Sequence, residues 1–225
     1  MHRLYAFAAA LLVGATPVAA QESRQSTEMY HIFDFKTAAP KRDAIAAAEA
    51  GLRRNTTDAD MTTPIVMGPA PVTPGQFKIV NPLEGSGMMS GLAGLMGASQ
   101  IAQLKRATCD GAIWMATAER NKRLQQNLRL TMCLFPYQGG YHLNVHGIDT
   151  KEKGGGIALR LGRAMAQRLV GDTDAWTNKT VLDTVRSVRT GTNATVSYVE
   201  GQPEFAGTPW MDGAEFIPSK ADKGK

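Results

Sequence analysis

The sequence is poor in the residues that usually announce a chemistry. It holds 2 cysteines and 4 histidines in 225 residues, which excludes a scaffold stapled by many disulfides and leaves little from which to build a clustered metal site. Aromatic residues make up 7% of the chain and charged residues 20%. No long Lys/Arg run with interleaved aromatics is present, so nothing marks a nucleic-acid groove. The sequence contains no G-x-S-x-G, no S-x-x-K and no H-E-x-x-H, the local signatures of activated serine and zinc hydrolysis. No internal repeat occurs. What is present is an ordinary apolar fraction, 43%, enough for one globular domain.

Residues 1–20 have the layout of a secretory signal peptide: a short basic start at Arg3, an apolar run from Leu4 to Val13, Pro17, and small residues at Val18 and Ala20. The apolar run is too short to span a bilayer, for which about 20 residues are needed. Cleavage after Ala20 is expected, leaving a mature chain of about 205 residues. The first cysteine is Cys109, so the mature start has no cysteine to carry a lipoprotein anchor. Removing Arg3 takes the formal charge from +5 to +4, a solubility-level bias rather than a polyanion-binding one. The expected location is periplasmic or secreted.

The periodicity predicts an α+β domain over 29–200, after a polar leader at 21–28 and before a Pro/Gly-rich tail at 201–225 with a basic, disordered end. A strand is expected at 29–36. A helix follows Pro40, with Ile45, Ala48 and Leu52 on one face. Two short extended pieces at 64–69 and 76–80 carry or flank prolines 64, 69, 71 and 74, which confine them to an edge hairpin or an irregular loop. An antiparallel meander over about 110–148 forms the centre of the sheet, one face of which the helices cover. After a Gly-rich link at 150–156, helices at 157–170 and 177–189 and a strand at 194–200 complete the domain. Gly154-Gly155-Gly156 lacks the spacing of a phosphate-binding loop and reads as a flexible connection.

Within the meander, Leu128, Leu130, Met132 and Leu134 alternate with polar residues, as do Tyr141, Leu143 and Val145. A two-residue Gly139-Gly140 turn pairs Leu134 with Val145 and places both apolar sets on one face. Pairing 110–119 with 127–134 around Asn121 sets Trp114 opposite Leu128 and Cys109 opposite Cys133. In an oxidising compartment that juxtaposition predicts a disulfide. Closing its 25-position loop is worth about 3.5 kcal/mol in the chain-entropy model. A redox or metal role would require the C-x-x-C character that this pair lacks.

The other face of the hairpin gathers Arg129, Phe135, Tyr137, His142, Asn144 and His146, a mixture of aromatic and hydrogen-bonding groups suited to holding a ligand or partner. His142 and His146 are expected as exposed strand histidines about 13 Å apart, too far to share an ion. Residues 85–104 carry no charge and include five glycines. Met88, Met89, Leu92, Leu95 and Met96 in this mobile insertion suit adaptable docking against a partner or a membrane surface. The three available carboxylates, Asp110, Glu119 and Glu200, single out no acid/base pair.

The sequence therefore reads as an exported, non-catalytic envelope protein that binds a partner protein or an apolar ligand and needs no cofactor or metal. Two alternatives are a hydrolase of envelope polymers with a dispersed carboxylate pair, and a peripheral membrane-associated accessory protein.

Overall fold

The computed structural model describes residues 23–81, 83, 98–122, 126–153 and 173–211. The signal-peptide segment, residues 84–97 of the Gly/Met insertion, the helix expected at 157–170 and the chain after 211 lie outside them. The described elements are β1 (Ser23–Lys36), α1 (Lys41–Arg53), β2 (Asp60–Thr62), β3 (Lys78–Val80), α2 (Ala98–Leu104), β4 (Arg106–Thr108), β5 (Trp114–Lys122), β6 (Gln126–Tyr137), β7 (Gly140–Lys153), α3 (Thr173–Thr192) and β8 (Thr195–Gln202). Six strands form one antiparallel sheet in the order β2-β5-β6-β7-β1-β8, and β3 pairs with β4 in a small separate sheet. The α+β class expected from the sequence is therefore present, with the 110–148 meander near its centre.

Alternation decides the two faces. Phe33 and Phe35 of β1, Leu143 and Val145 of β7, Leu130, Met132 and Leu134 of β6, and Trp114 and Ala116 of β5 all turn to the first face and are buried. Helices α1 and α3 cover that face. Pro40 caps α1 in an extended conformation, and Ala44, Ala47, Ala48 and Leu52 give it a narrow apolar stripe that meets Val181, Leu182, Val185 and Val188 of α3. The stripe is narrow because the helices nearly touch. A Cβ on Gly51 would stand 2.5 Å from Thr184 Cα, and one on Gly191 would stand 2.7 Å from Ala47 Cβ. Helix α3 buries Thr180 and Thr184, whose hydroxyls donate to the carbonyls of Trp176 and Thr180, each at 2.8 Å, so neither hydroxyl is stranded.

Several boundaries and registers differ from the sequence reading. The polar leader is strand: β1 starts at Ser23, and Ser23 to Glu28 pair with Lys153 to Ile148 of β7. Likewise β7 runs to Lys153, through the first half of the expected Gly-rich link. The hairpin turn is Gln138-Gly139 rather than Gly139-Gly140, so Leu134 faces Leu143 and Tyr137 faces Gly140. The reason is tertiary. Gly140 is at φ +140° and is squeezed against the Phe35 carbonyl of β1, where any Cβ would collide, so it serves as a strand residue in close approach. Trp114 faces Leu134, six residues from the expected Leu128. Residues 64–69 form no hairpin with 76–80; β3 takes β4 as its partner instead. The tail is ordered at its start, because Trp210 is buried against Phe33 and Tyr198.

Cys109 and Cys133 form the disulfide, with Cα atoms 5.6 Å apart. The strand register assumed for them is nonetheless wrong, since Cys133 pairs laterally with Met115. Cys109 instead follows β4 across the second face of the sheet and reaches Cys133 from above, packing with Ala112 and Phe135. Two outcomes follow for stability. Gly51→Ala, which would add about 0.5–1 kcal/mol in an open helix, is expected to cost about 1–3 kcal/mol here because the added methyl overpacks the helix contact, as read by urea unfolding. Replacing both cysteines by alanine is expected to cost about 3 kcal/mol by the same measurement, and intact mass without reductant should show both thiols blocked in the native chain.

Candidate functional site

The second face of the sheet is built from cross-strand rows on β6, β7 and β1. Phe135, His142 and Asp34 form one row; Cys133, Asn144 and Ile32 the next; Thr131, His146 and Tyr30 the third; and Arg129, Ile148 and Glu28 the fourth. Strict period-two alternation places Arg129, Phe135, Tyr137, His142, Asn144 and His146 together on this face. The face is covered, however. Phe135, Tyr137, Asn144 and His146 are buried, and the His142 side chain is 12% exposed. The two strand histidines are therefore interior groups, a correction to the exposed pair the sequence suggests.

The cover comes from segments between β2 and β5. Gly75 sits against the Phe135 ring so closely that a Cβ there would be 2.6 Å from it. The Phe77 ring lies 5.5 Å from the His146 ring. The Gln138 amide donates to the Pro71 carbonyl at 2.9 Å, and α2 approaches close enough for Arg129 Nη1 to donate to the Gln103 carbonyl.

At the hairpin end the covered face carries a polar network, in which His142 Nδ1 alone is left without a partner. Tyr137 Oη donates to Asp34 Oδ1 at 2.6 Å, and Lys36 Nζ donates to Tyr137 Oη. Lys36 Nζ is 3.3 Å from Asp34 Oδ2, and His142 Nε2 is 3.3 Å from Asp34 Oδ1. Burial pushes the Tyr137 hydroxyl above its ordinary pKa, and burial also holds His142 below its ordinary value despite the attraction of Asp34. These groups engage one another and clamp the β6–β7 hairpin to β1. Asp34 and Lys36 were legible: they share the parity of Tyr30 and Ile32 along β1, and a strand of that parity must face the hairpin's polar side.

The carboxylates that the sequence offered for acid/base work do not converge. Asp110 is exposed beside Lys78 at 3.9 Å, Glu119 pairs with Arg129 at 3.0 Å, and Glu200 stands on β8, with three strands between it and β5. No group of three His, Cys, Asp or Glu side chains among the described residues is arranged to hold a metal ion.

Two cavities open on this face. One, of about 400 Å³, is polar and is lined by Gln103, Glu119, Asn127, Arg129, Ile148 and Thr150. The other, of about 330 Å³, lies between β1 and the covering strap, with Tyr30, Ile32, Phe77, Ile79 and His146 as walls and Glu28 and Glu200 beside them. Glu28 is held by Lys105, whose Nζ is 3.2 Å from each carboxylate oxygen, and its Oε1 is 3.9 Å from His146 Nε2. Burial keeps His146 below its ordinary pKa in spite of that carboxylate, so the groove wall is a neutral imidazole at pH 7. The sequence reading missed Tyr30, Ile32, Phe77 and Ile79, because only the fold brings β1 and the strap together. Met88, Met89, Leu92, Leu95 and Met96 lie outside the described residues.

No protein-family model matches this chain, and no curated protein sequence matches it.

The remaining described histidine marks a different place. His31 is on the first face, stacked on Phe205 with ring centroids 4.2 Å apart, and its Nδ1 is 2.9 Å from Tyr198 Oη. Burial lowers its pKa to about 4 from 6.5. An unfolded chain binds that proton near pH 6.5 while the folded chain resists it to about pH 4, so stability is complete above 6.5 and falls as the pH drops through that window. The expected loss between pH 7 and pH 4 is about 3 kcal/mol from this group, read by urea unfolding at stepped pH. His31→Phe should flatten that part of the profile; an unchanged slope would show that other groups carry it.

Proposed function

We propose that this chain is an exported, non-catalytic binding protein of the cell envelope, periplasmic or secreted after cleavage near Ala20, which holds an apolar group of a ligand or partner protein in the groove between β1 and the Phe77–Ile79 strap. The observation that carries the reading is the groove itself. It is an open cavity of about 330 Å³ whose walls, unlike those of the polar cavity on the same face, are aromatic and aliphatic, the kind of concavity in which small ligands are bound. Ile79, one of those walls, is a large apolar side chain left 40% exposed. The disulfide is compatible with an oxidising compartment. The Gly/Met insertion joins β3, which carries Ile79, to α2, and in this proposal its Met88, Met89, Leu92, Leu95 and Met96 add adaptable contacts to the same partner.

The test uses an apolar fluorescent naphthylamine probe with the mature protein. Ile79→Asp is expected to weaken probe binding at least about tenfold, since a desolvated carboxylate in the groove costs more than the 1.4 kcal/mol that a tenfold change represents. Ile65→Asp, at a side chain 92% exposed away from the groove walls, should leave binding unchanged, and both variants should keep the native circular dichroism. Equal binding by all three proteins would remove the groove from consideration.

A further inference from the structure

Asn144 is the most isolated polar side chain of the second face. It is fully buried, and neither its amide nitrogen nor its amide oxygen has a hydrogen-bond partner. An unpaired buried amide forfeits its hydration without return, so an apolar side chain of similar shape would suit a purely structural position better. Its surroundings connect it to the groove. Ile32, its cross-strand partner on β1, and His146, two residues along β7, both line the cavity. Phe77 lines it too, and this ring reaches both the His146 ring and the cluster around Cys133, the cross-strand partner of Asn144 on β6. Phe77 thus lies over the span between Cys133 and His146 where Asn144 stands. Phe77 itself is half-buried.

We propose that Asn144 reads the head group of the groove's ligand, and that this ligand is a short neutral amphiphile: an apolar chain against Tyr30, Ile32 and Ile79, ending in an amide that donates to Asn144 Oδ1 and accepts from Asn144 Nδ2. This rests on the groove being the binding site. The two unpaired atoms of Asn144 are one acceptor and one donor group, the complement of another amide. Glu200 beside the cavity disfavours a carboxylate head, while Glu28 is already paired with Lys105 and the neutral His146 offers an anion no counter-charge. A volume of about 330 Å³ limits the occupant to a small molecule, at the lower end of ligand pockets. Entry of the head requires the Phe77 ring to turn aside.

Three probes separate the contributions: hexanamide; 2-heptanone, which has the same shape but no N–H; and hexanoate. Titrated into the mature protein at pH 7 and followed by NMR, hexanamide is expected to bind about tenfold more tightly than 2-heptanone, the worth of one such polar pairing, and hexanoate more weakly than either. The side-chain NH₂ resonances of Asn144 should move with both carbonyl ligands, whereas the side-chain carbonyl carbon, whose Oδ1 accepts only from an N–H, should move with hexanamide and stay in place with 2-heptanone. Asn144→Leu should lose the preference for hexanamide over 2-heptanone and melt a few degrees higher because an orphaned amide is gone. Equal affinities of hexanamide and 2-heptanone in the native chain, unmoved Asn144 resonances, a preference that survives Asn144→Leu, or a lower melting temperature in that variant would each overturn the head-group role while leaving the groove as an apolar site. Binding of none of the three probes would overturn the groove reading and this inference with it.

Discussion

Strand β7 is the constraint on which the rest of the molecule depends. It is paired along its whole length, Gly140–Lys153, with β1 on one side and over most of it with β6 on the other. It is also covered on both faces. A strand in that position must satisfy two environments with alternate residues. Tyr141, Leu143 and Val145 enter a dry core under α1 and α3, where burying a large aliphatic or aromatic side chain stabilises by about 1.5–3 kcal/mol. His142, Asn144 and His146 enter the other layer. Polar groups there lose their water, so each needs a partner or leaves a cost behind.

The second layer meets that demand unevenly. At the hairpin end Asp34, Lys36, Tyr137 and His142 Nε2 engage one another, although His142 Nδ1 has no partner. At the far end Glu28 meets Lys105 and Arg129 meets Glu119. Between these ends, Asn144 has no partner. The covering chain carries little regular structure, since four prolines interrupt it between residues 64 and 74, so backbone pairing alone cannot hold it down. The Cys109–Cys133 bond attaches its return limb to β6, and the Gln138–Pro71 contact attaches its outward limb. A cover held at a few points over a partly unsatisfied layer is where a groove can persist. On the first face, by contrast, Gly51 and Gly191 bring the two covering helices into direct contact.

What the sequence disclosed and what it withheld divide along the same line. Face parity was legible: Leu134, Leu143 and Trp114 share one side, and Phe135, His142 and Asn144 the other, as alternation requires. Register was not. The observed pairings differ from the expected ones by two residues in β6–β7 and six in β5–β6, and because both shifts are even they preserve every side chain's face while moving its neighbours. Gly140 shows why local turn chemistry misleads: its freedom is spent on passing the Phe35 carbonyl of a distant strand. The disulfide was reached from a wrong register, since the real approach of Cys109 is from above the sheet. Nothing periodic in residues 64–77 encodes where they lie, and so the burial of the histidines and the walls of the groove came only from the fold.

The placement of the groove also bears on how a partner is met. Strand β8 is a sheet edge among the described residues, and an open edge is the usual invitation to add a strand from another chain. Here the invitation is weak. The β1–β8 register shifts between Ile32 and Phe33, leaving Val199 without a partner on β1, and Pro203 follows directly after the strand. A bulge twists an edge away from regular pairing and a proline removes a donor, both of which blunt strand addition. Glu200, immediately after the bulged Val199, pairs with Ile32 and lines the cavity. The same irregularity that spoils the edge therefore sets a carboxylate beside the groove, so the proposed recognition at this border would rest on side chains and shape rather than on main-chain extension of the sheet.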